Sequence, residues 1–245
     1  MTPSSSNEEP KGVWLANLLR ISAFPSATAE IDSSNWWVAV VGEPAESQVL
    51  LPKKRLSREE GPLGSGRLIL ETQPTRIDWV FSKTLDGDAL GHFTIVTEQF
   101  ASLMDRWFDI FDSIQRLAFG AILSFSVNSK TEGYERLQSF LKRVQLDPQN
   151  SSDFLYQINR PRTFKHDDFE IRINRLSKWT VALSQTLEIS PESNHLISSQ
   201  YACNLDLDIN TDAEFKTELP KELLNDIFRV FIEYAMEISS EGDIP

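Results

Sequence analysis

Apolar and polar residues alternate near the middle of the chain. Ile77, Trp79 and Phe81 share one face of an extended segment, and Arg76, Asp78 and Val80 point to the other face. Such alternation is typical of a strand with one buried face. Pro74 begins a turn that separates this segment from the apolar run before it. The pattern predicts a β-hairpin over residues 67–81.

A helical pattern follows the hairpin. Apolar residues recur there at spacings of three and four and form one stripe. The stripe consists of Phe100, Leu103, Met104, Trp107, Phe108, Phe111 and Ile114. Thr97 is the predicted N-cap, because its hydroxyl can accept a free backbone N–H. We expect the helix to pack on the apolar face of the hairpin, and an aromatic box for a ligand is the alternative.

The rest of the first half contains one strand and two less regular segments. Residues 13–24 form a short apolar run that ends before Pro25, which favours a strand. Residues 36–41 fit a short helix and a strand equally well. Residues 42–66 combine prolines, glycines and mixed charges, which predicts a long loop. Its basic cluster at 53–55 is predicted to be solvated, with a phosphate or RNA contact as the alternative.

The second half has a similar mixture of patterns. Residues 117–127 predict a buried strand, and residues 132–144 predict a helix. Alternation then indicates strands in four further segments, at 154–159, 171–174, 179–184 and 201–209. A last amphipathic helix follows Leu219 and Pro220. These segments predict an antiparallel sheet with one wet face.

Together the patterns predict an α+β protein in which antiparallel sheets are each packed by a long amphipathic helix. Residues 1–12 are expected to be a disordered tail and residues 240–245 a second tail. The N-terminal α+β half would cover residues 13–127, with the long loop at 42–66, and the C-terminal half residues 128–239. The pattern leaves open whether the two halves are related units.

The charge of the chain limits its partners. The 245 residues carry a formal net charge of -12, which argues against duplex nucleic acid and anionic membranes and favours basic protein segments. A single cysteine, Cys203, cannot form an internal disulfide, and its strand pattern predicts a buried thiol. No apolar run is long enough to span a bilayer. We therefore expect a cytoplasmic protein.

No candidate motif predicts catalytic, cofactor-binding or metal-binding residues, so no cofactor is expected. The residues with the odd-position spacing of a calcium loop are Asp206, Asp208, Asn210 and Asp212. However, Thr211 and Thr217 stand where that loop needs glycine and glutamate. The histidines at 92, 166 and 195 have no metal-ligand spacing.

Several of these residues resemble one known family. The motif Gln73-Pro74-x-Arg76 with Trp79, the helix with Trp107 and the late run 205–208 (LDLD) before the final helix carry the likeness. The chain resembles a sporadically distributed family of uncharacterised bacterial proteins of about this length. It departs from the family in its long 42–66 segment and in lacking a Tyr-Asn pair after Arg116. The resemblance implies no activity, and the family's patchy occurrence fits mobile or host-defence gene neighbourhoods.

Two functional hypotheses follow. The favoured one is a non-enzymatic, protein-binding accessory protein of a bacterial operon, which holds a partner protein from the same operon on its polar sheet faces or on residues 42–66. A role in phage defence, including a CRISPR-linked one, rests on the resemblance alone. The alternative is a metal-dependent hydrolase or nuclease whose scattered carboxylates include Asp167, Asp168, Asp206 and Asp208. The sequence predicts no particular oligomeric state.

Overall fold

One large β-sheet dominates the structure. The computed structural model describes residues 13–84, 87–189 and 194–245, and in these residues the chain forms an antiparallel sheet of 11 strands and four α-helices. The strands are β1 (Leu15–Pro25), β2 (Ser47–Leu51), β3 (Leu56–Leu63), β4 (Gly66–Gln73), β5 (Arg76–Lys83), β6 (Gly91–His92), β7 (Ile114–Val127), β8 (Leu155–Asn159), β9 (Arg162–His166), β10 (Phe169–Ile189) and β11 (Asn194–Thr211). The helices are α1 (Trp36–Val41), α2 (Phe93–Ile110), α3 (Lys130–Phe140) and α4 (Leu224–Glu241). The predicted tail at 1–12 lies outside the described residues.

The strand order shows how the two halves of the chain meet. It is β2-β3-β4-β5-β1-β7-β11-β10-β8, with β6 paired to β1 and β9 paired to β10. The last strand of the first half, β7, lies antiparallel to β11 of the second half, in a register that includes Leu123 opposite Leu205. The predicted boundary between halves falls at Val127, where β7 ends. Both halves therefore contribute strands to the same sheet.

This architecture corrects the predicted fold class. The α+β arrangement, with separate antiparallel sheets each packed by its own helix, is wrong because the pairing of β7 with β11 joins the strands of both halves into one sheet that dominates the structure. The helices α2 and α4 instead pack against each other, with the rings of Phe108 and Phe228 5.8 Å apart. Alternation identifies a strand and its buried face, but it does not identify the neighbouring strand.

The predicted loop at 42–66 is also wrong. This segment forms β2 and β3, which pair from Ser47 opposite Glu60 to Leu51 opposite Leu56. The residues that suggested a loop lie mainly in its turns: Pro52 begins a short 3-10 turn between the strands. Proline and glycine therefore marked the ends of two strands rather than one long irregular connection.

Most other predicted elements are confirmed. The hairpin at 67–81 corresponds to β4 and β5, the strands at 13–24 and 117–127 to β1 and β7, and the undecided segment 36–41 is the helix α1. The segments 171–174 and 179–184 belong to one strand, β10. Thr97 is not an N-cap: α2 begins at Phe93, and Thr97 is buried inside the helix.

The core lies between the helices and one face of the sheet. Tryptophans from three elements meet there: the ring of Trp79 in β5 lies 6.3 Å from Trp107 in α2 and 6.0 Å from Trp37 in α1. The predicted packing of the Trp107 stripe on the hairpin is thus confirmed. No helix in the described part of the chain has both the length and the apolar character to cross a membrane.

We expect Trp107→Ala to lower the free energy of unfolding by about 3–5 kcal/mol, because it removes a fully buried indole and leaves a cavity among aromatic rings. Equilibrium denaturation in urea measures this change. Ile95→Ala in the same helix is the matched control, because Ile95 is exposed. Equal losses for the two variants would contradict the central position of Trp107.

Candidate functional site

The carboxylates of the predicted hydrolase site are not brought together. Asp167 and Asp168 form the turn between β9 and β10, whereas Asp206 lies in β11 opposite Lys178. The stretch of β10 between Phe169 and Lys178 keeps the two pairs roughly 30 Å apart at the usual rise of a strand. Among the described residues, no group of three or more His, Cys, Asp or Glu side chains could hold a metal.

The run that resembled a calcium loop is extended. Asp206, Asp208 and Asn210 follow one another on the same face of β11, so their oxygens are spread along the strand. Lys178 Nζ lies 3.2 Å from Asp206 Oδ2, and Asn210 Nδ2 donates to Asp208 Oδ1 at 2.9 Å. These contacts are typical of the polar face of a sheet.

The single cysteine is buried, as predicted. Cys203 lies in β11 under α3, and its Sγ donates to the carbonyl oxygen of Gly133 at 3.4 Å. Burial raises the pKa of the Cys203 thiol to about 12. The thiolate is the reactive form of cysteine, so this side chain is a poor nucleophile at neutral pH.

The segment 42–66 contains the most exposed apolar strand in the described residues. All five residues of β2 are exposed, and three consecutive apolar ones are Val49 (45% exposed), Leu50 (60%) and Leu51 (42%). In the described part of the chain β2 pairs only with β3 and forms one end of the sheet. An edge strand presents unpaired backbone N–H and C=O groups to its surroundings. This end of the sheet therefore offers both apolar contact and hydrogen bonds.

The helix cover decreases toward this edge. Residues directly opposite each other in antiparallel strands share a face, which places Ile77, Thr72, Ser57 and Leu50 in one row across β5, β4, β3 and β2. The row begins at a buried residue, Ile77, and ends at Leu50, which is exposed. The helix-covered face of the sheet is thus left open near β2.

A cleft of about 800 Å³ occupies this open region, a size typical of ligand pockets. Its walls are the loop after β1, the β2–β3 hairpin and the β4–β5 turn. The lining includes apolar side chains at Ile31, Leu50 and Leu56, and hydroxyl groups at Ser57 and Thr72. The cleft can therefore accept an apolar side chain and also donate hydrogen bonds.

Local backbone contacts hold the walls of the cleft. The loop after β1 is tied back by Ser26 N–H, which donates to Ser113 O at 3.0 Å. The 3-10 turn at Pro52–Lys54 closes with Arg55 N–H donating to Pro52 O at 3.1 Å, and Arg55 has a positive φ of 49°. This turn places the basic residues 53–55 at the end of β2, where Arg55 also lines the cleft.

The opposite face of the hairpin carries a ladder of charges. Arg58 Nη2 lies 2.9 Å from Glu60 Oε2, and Arg67 Nη2 lies 2.7 Å from Glu46 Oε2. Val49 and Leu51 share this face, because Val49 lies opposite Arg58. The two faces at the β2 edge therefore differ in chemistry: one has the cleft, and the other has alternating ion pairs.

One carboxylate lies on the helix-covered face beside the edge. Glu59 in β3 is buried and accepts a hydrogen bond from Gln48 Nε2 at 3.3 Å. Burial raises the pKa of Glu59 above its ordinary value. The sequence analysis identified neither Glu59 nor the β2 edge. The uncharged run Gln48–Leu51 was the available signal for an edge strand.

Comparison with known proteins finds no matching protein-family model and no matching curated protein.

We expect Glu59→Gln to stabilise the protein at pH 7. The pKa of Glu59 is higher in the folded protein than in the unfolded chain. The stability that the protonated Glu59 carboxyl contributes is therefore fully present below its ordinary pKa of about 4.5, and it is lost as the pH rises through the folded pKa. The variant avoids that loss, so the free energies of unfolding should differ at pH 7 and converge in acid. Urea denaturation as a function of pH measures this, with Glu214→Gln at an exposed position as control. A destabilised variant at pH 7 would contradict the assignment.

Proposed function

We propose that this chain is a non-enzymatic binding protein that holds an extended segment of a partner protein along β2. The observation that carries the proposal is the run of exposed apolar residues at 49–51, in an open edge strand beside a cleft. Edge strands bind extended segments by strand addition, in which main-chain hydrogen bonds supply affinity and alternate side chains supply specificity.

The two faces of the edge define what such a segment must contain. Alternate side chains of an added strand would face the cleft beside Leu50 and the charge ladder beside Val49. The first set would be apolar or hydroxylated, to match Leu50, Ser57 and Thr72. The second set would be polar or charged. We therefore expect the partner segment to alternate in polarity.

Charge at the two ends of β2 would set the direction of the partner segment. Glu43 and Glu46 precede the strand, and the basic residues 53–55 follow it. A bound segment would place basic residues near the glutamates and an acidic residue near the basic turn. Complementary charges of this kind fix register and partner choice more than affinity. The net charge of -12 attracts basic segments over a longer range.

The cellular setting belongs to the same proposal. A reducing cytoplasm fits a chain with one buried cysteine. The resemblance to sporadically distributed bacterial proteins supports an accessory role with a partner encoded in the same operon. A link to phage defence or CRISPR systems rests on the same resemblance. The separated positions of Asp167, Asp168, Asp206 and Asp208 give no such support to the hydrolase alternative.

The test is capture of a partner from the native host by the tagged protein, followed by mass spectrometry and a binding titration with the purified partner. Leu50→Lys should weaken binding by about tenfold or more, because it places a charge at the centre of the edge. Leu155→Lys in β8 is the matched control, since Leu155 is 58% exposed at the opposite end of the sheet.

Three results separate the possibilities. Loss of binding for Leu50→Lys with retention for Leu155→Lys supports the edge as the binding site. Equal binding by both variants contradicts it. Size-exclusion chromatography over a range of concentrations shows whether a second copy of the chain occupies the edge instead, which would appear as a dimer that Leu50→Lys dissociates.

A further inference from the structure

A cluster of buried and half-buried charges lies at the other end of the sheet, against α4. We name it the arginine cluster; its members are Tyr156, Arg160, Arg162, Arg175, Tyr234, Glu237 and Asp243. Arg175 belongs to β10, Arg160 and Arg162 lie at the β8–β9 connection and the start of β9, and Glu237 belongs to α4. Asp243 follows α4 in the segment 242–245.

Arg175 is the most deeply buried member of the cluster. None of its side chain is exposed, and its Nη2 donates to Glu237 Oε2 at 3.0 Å. Its Nε and Nη1 have no hydrogen-bond partner among the described residues. The ring of Tyr234 lies 4.9 Å from its Cζ. A buried guanidinium with unsatisfied N–H groups is costly, so this position is suited to a further acceptor.

The cluster has more positive than negative charge. Glu237 is shared, because Arg162 also donates to it through two bonds of 2.6 and 2.8 Å. Asp243 accepts from Arg160 at 2.5 and 2.8 Å and from the Tyr156 hydroxyl at 2.7 Å. Two carboxylates thus face three guanidinium groups. An additional anion would balance this excess.

Asp243 already occupies the position in which an anion would bind. Arg160 holds the pKa of the Asp243 carboxyl below its usual range, so the group is ionised at neutral pH. A cavity of about 10 Å³ remains between Arg160, Arg175, Ser177 and Asp243, which is room for about one water molecule. A larger oxyanion therefore fits only where the Asp243 carboxylate now lies.

The segment that carries Asp243 turns away from α4 and is held by backbone contacts as well as by the Asp243 side chain. Gly242 has φ 92° and ψ −151°, a conformation that favours glycine. A Cβ there would lie 1.9 Å from Phe140 O, so no other residue fits. Beyond it, Asp243 N–H donates to Phe140 O at 3.1 Å, and Arg162 Nη2 donates to Pro245 O at 2.6 Å. These two contacts are not part of the strand pairing of the sheet.

We propose that the arginine cluster is an oxyanion-binding site in which Asp243 is an internal ligand of Arg160, and that a phosphate group replaces its carboxylate there and also reaches Arg175. In the liganded form Tyr156 and Arg160 donate to the phosphate oxygens, Arg175 supplies the N–H groups that lack a partner, and residues 242–245 move away from Phe140. This site is separate from the β2 edge and does not depend on the function proposed there.

The experiment is an isothermal titration of the full chain with inorganic phosphate, at constant ionic strength maintained with chloride. Asp243→Asn removes the competing charge. This variant should bind phosphate about tenfold more tightly than the wild type, which is a typical size for the free-energy coupling between two ligands. Adding Arg160→Gln to this variant should abolish the gain. Glu241→Gln is the matched control, because it removes the same charge from an exposed position two residues away.

The outcomes are distinct. A gain confined to Asp243→Asn that Arg160→Gln abolishes supports the site. Phosphate binding that is the same in the wild type, Asp243→Asn and Glu241→Gln shows an adventitious ion only and overturns it. A parallel titration with a phosphoserine peptide identifies the source of the group: tighter binding of the peptide indicates a phosphate carried by a partner, and tighter binding of inorganic phosphate indicates the free ion.

A second readout needs no substitution and covers the case in which a variant does not fold. Saturating phosphate should accelerate hydrogen exchange at the Asp243 amide of the wild type, because its bond to Phe140 O is lost. Unchanged exchange at saturating phosphate would overturn the displacement of Asp243.

Discussion

The pairing of β7 with β11 is the interaction on which the rest of the structure depends. Their register extends from Val127 opposite Tyr201 to Ala118 opposite Asn210 and joins the strands of both halves into one sheet. On this sheet α2 and α4 pack against each other. The sheet also has two outer edges, and these become the chemically distinctive parts of the surface.

The two edges are protected in different ways. At one edge, Arg160 and Arg162 lie at the β8–β9 connection and pair with Asp243 and Glu237, so charge and the segment after α4 cover that end. At the other edge, β2 has no charged residue and leaves Leu50 exposed. Charges on an edge discourage strand addition, and their absence permits it. The structure therefore separates an open edge from an edge with a buried ionic cluster.

The sequence predicted the elements whose signals are local. The β4–β5 hairpin and the Trp107 stripe depend on residues two to four positions apart, and alternation or helical periodicity reports such spacings directly. The position of β2 could not be predicted, because strand neighbours are set by long-range pairing and the prolines around it suggested a loop. Arg175 was also missed: its partner Glu237 is 62 residues away, a separation that no spacing rule covers.

The same limit explains the error in fold class. Two sets of strands with one helix after each are compatible with two sheets or with one, and only the β7–β11 contact decides between them. If β7 and β11 did not pair, each would be a further edge, and the β2 edge and the arginine cluster would belong to two separate sheets.

Amide hydrogen exchange of the isolated protein tests the central claim most directly. We expect rapid exchange in peptides that cover β2, at Ser47–Leu51, and strong protection in the middle of β7, at 117–123, because β2 is an uncovered edge and β7 lies between two strands. Equal protection of the two segments would contradict the account, since it would mean that the β2 edge is already covered.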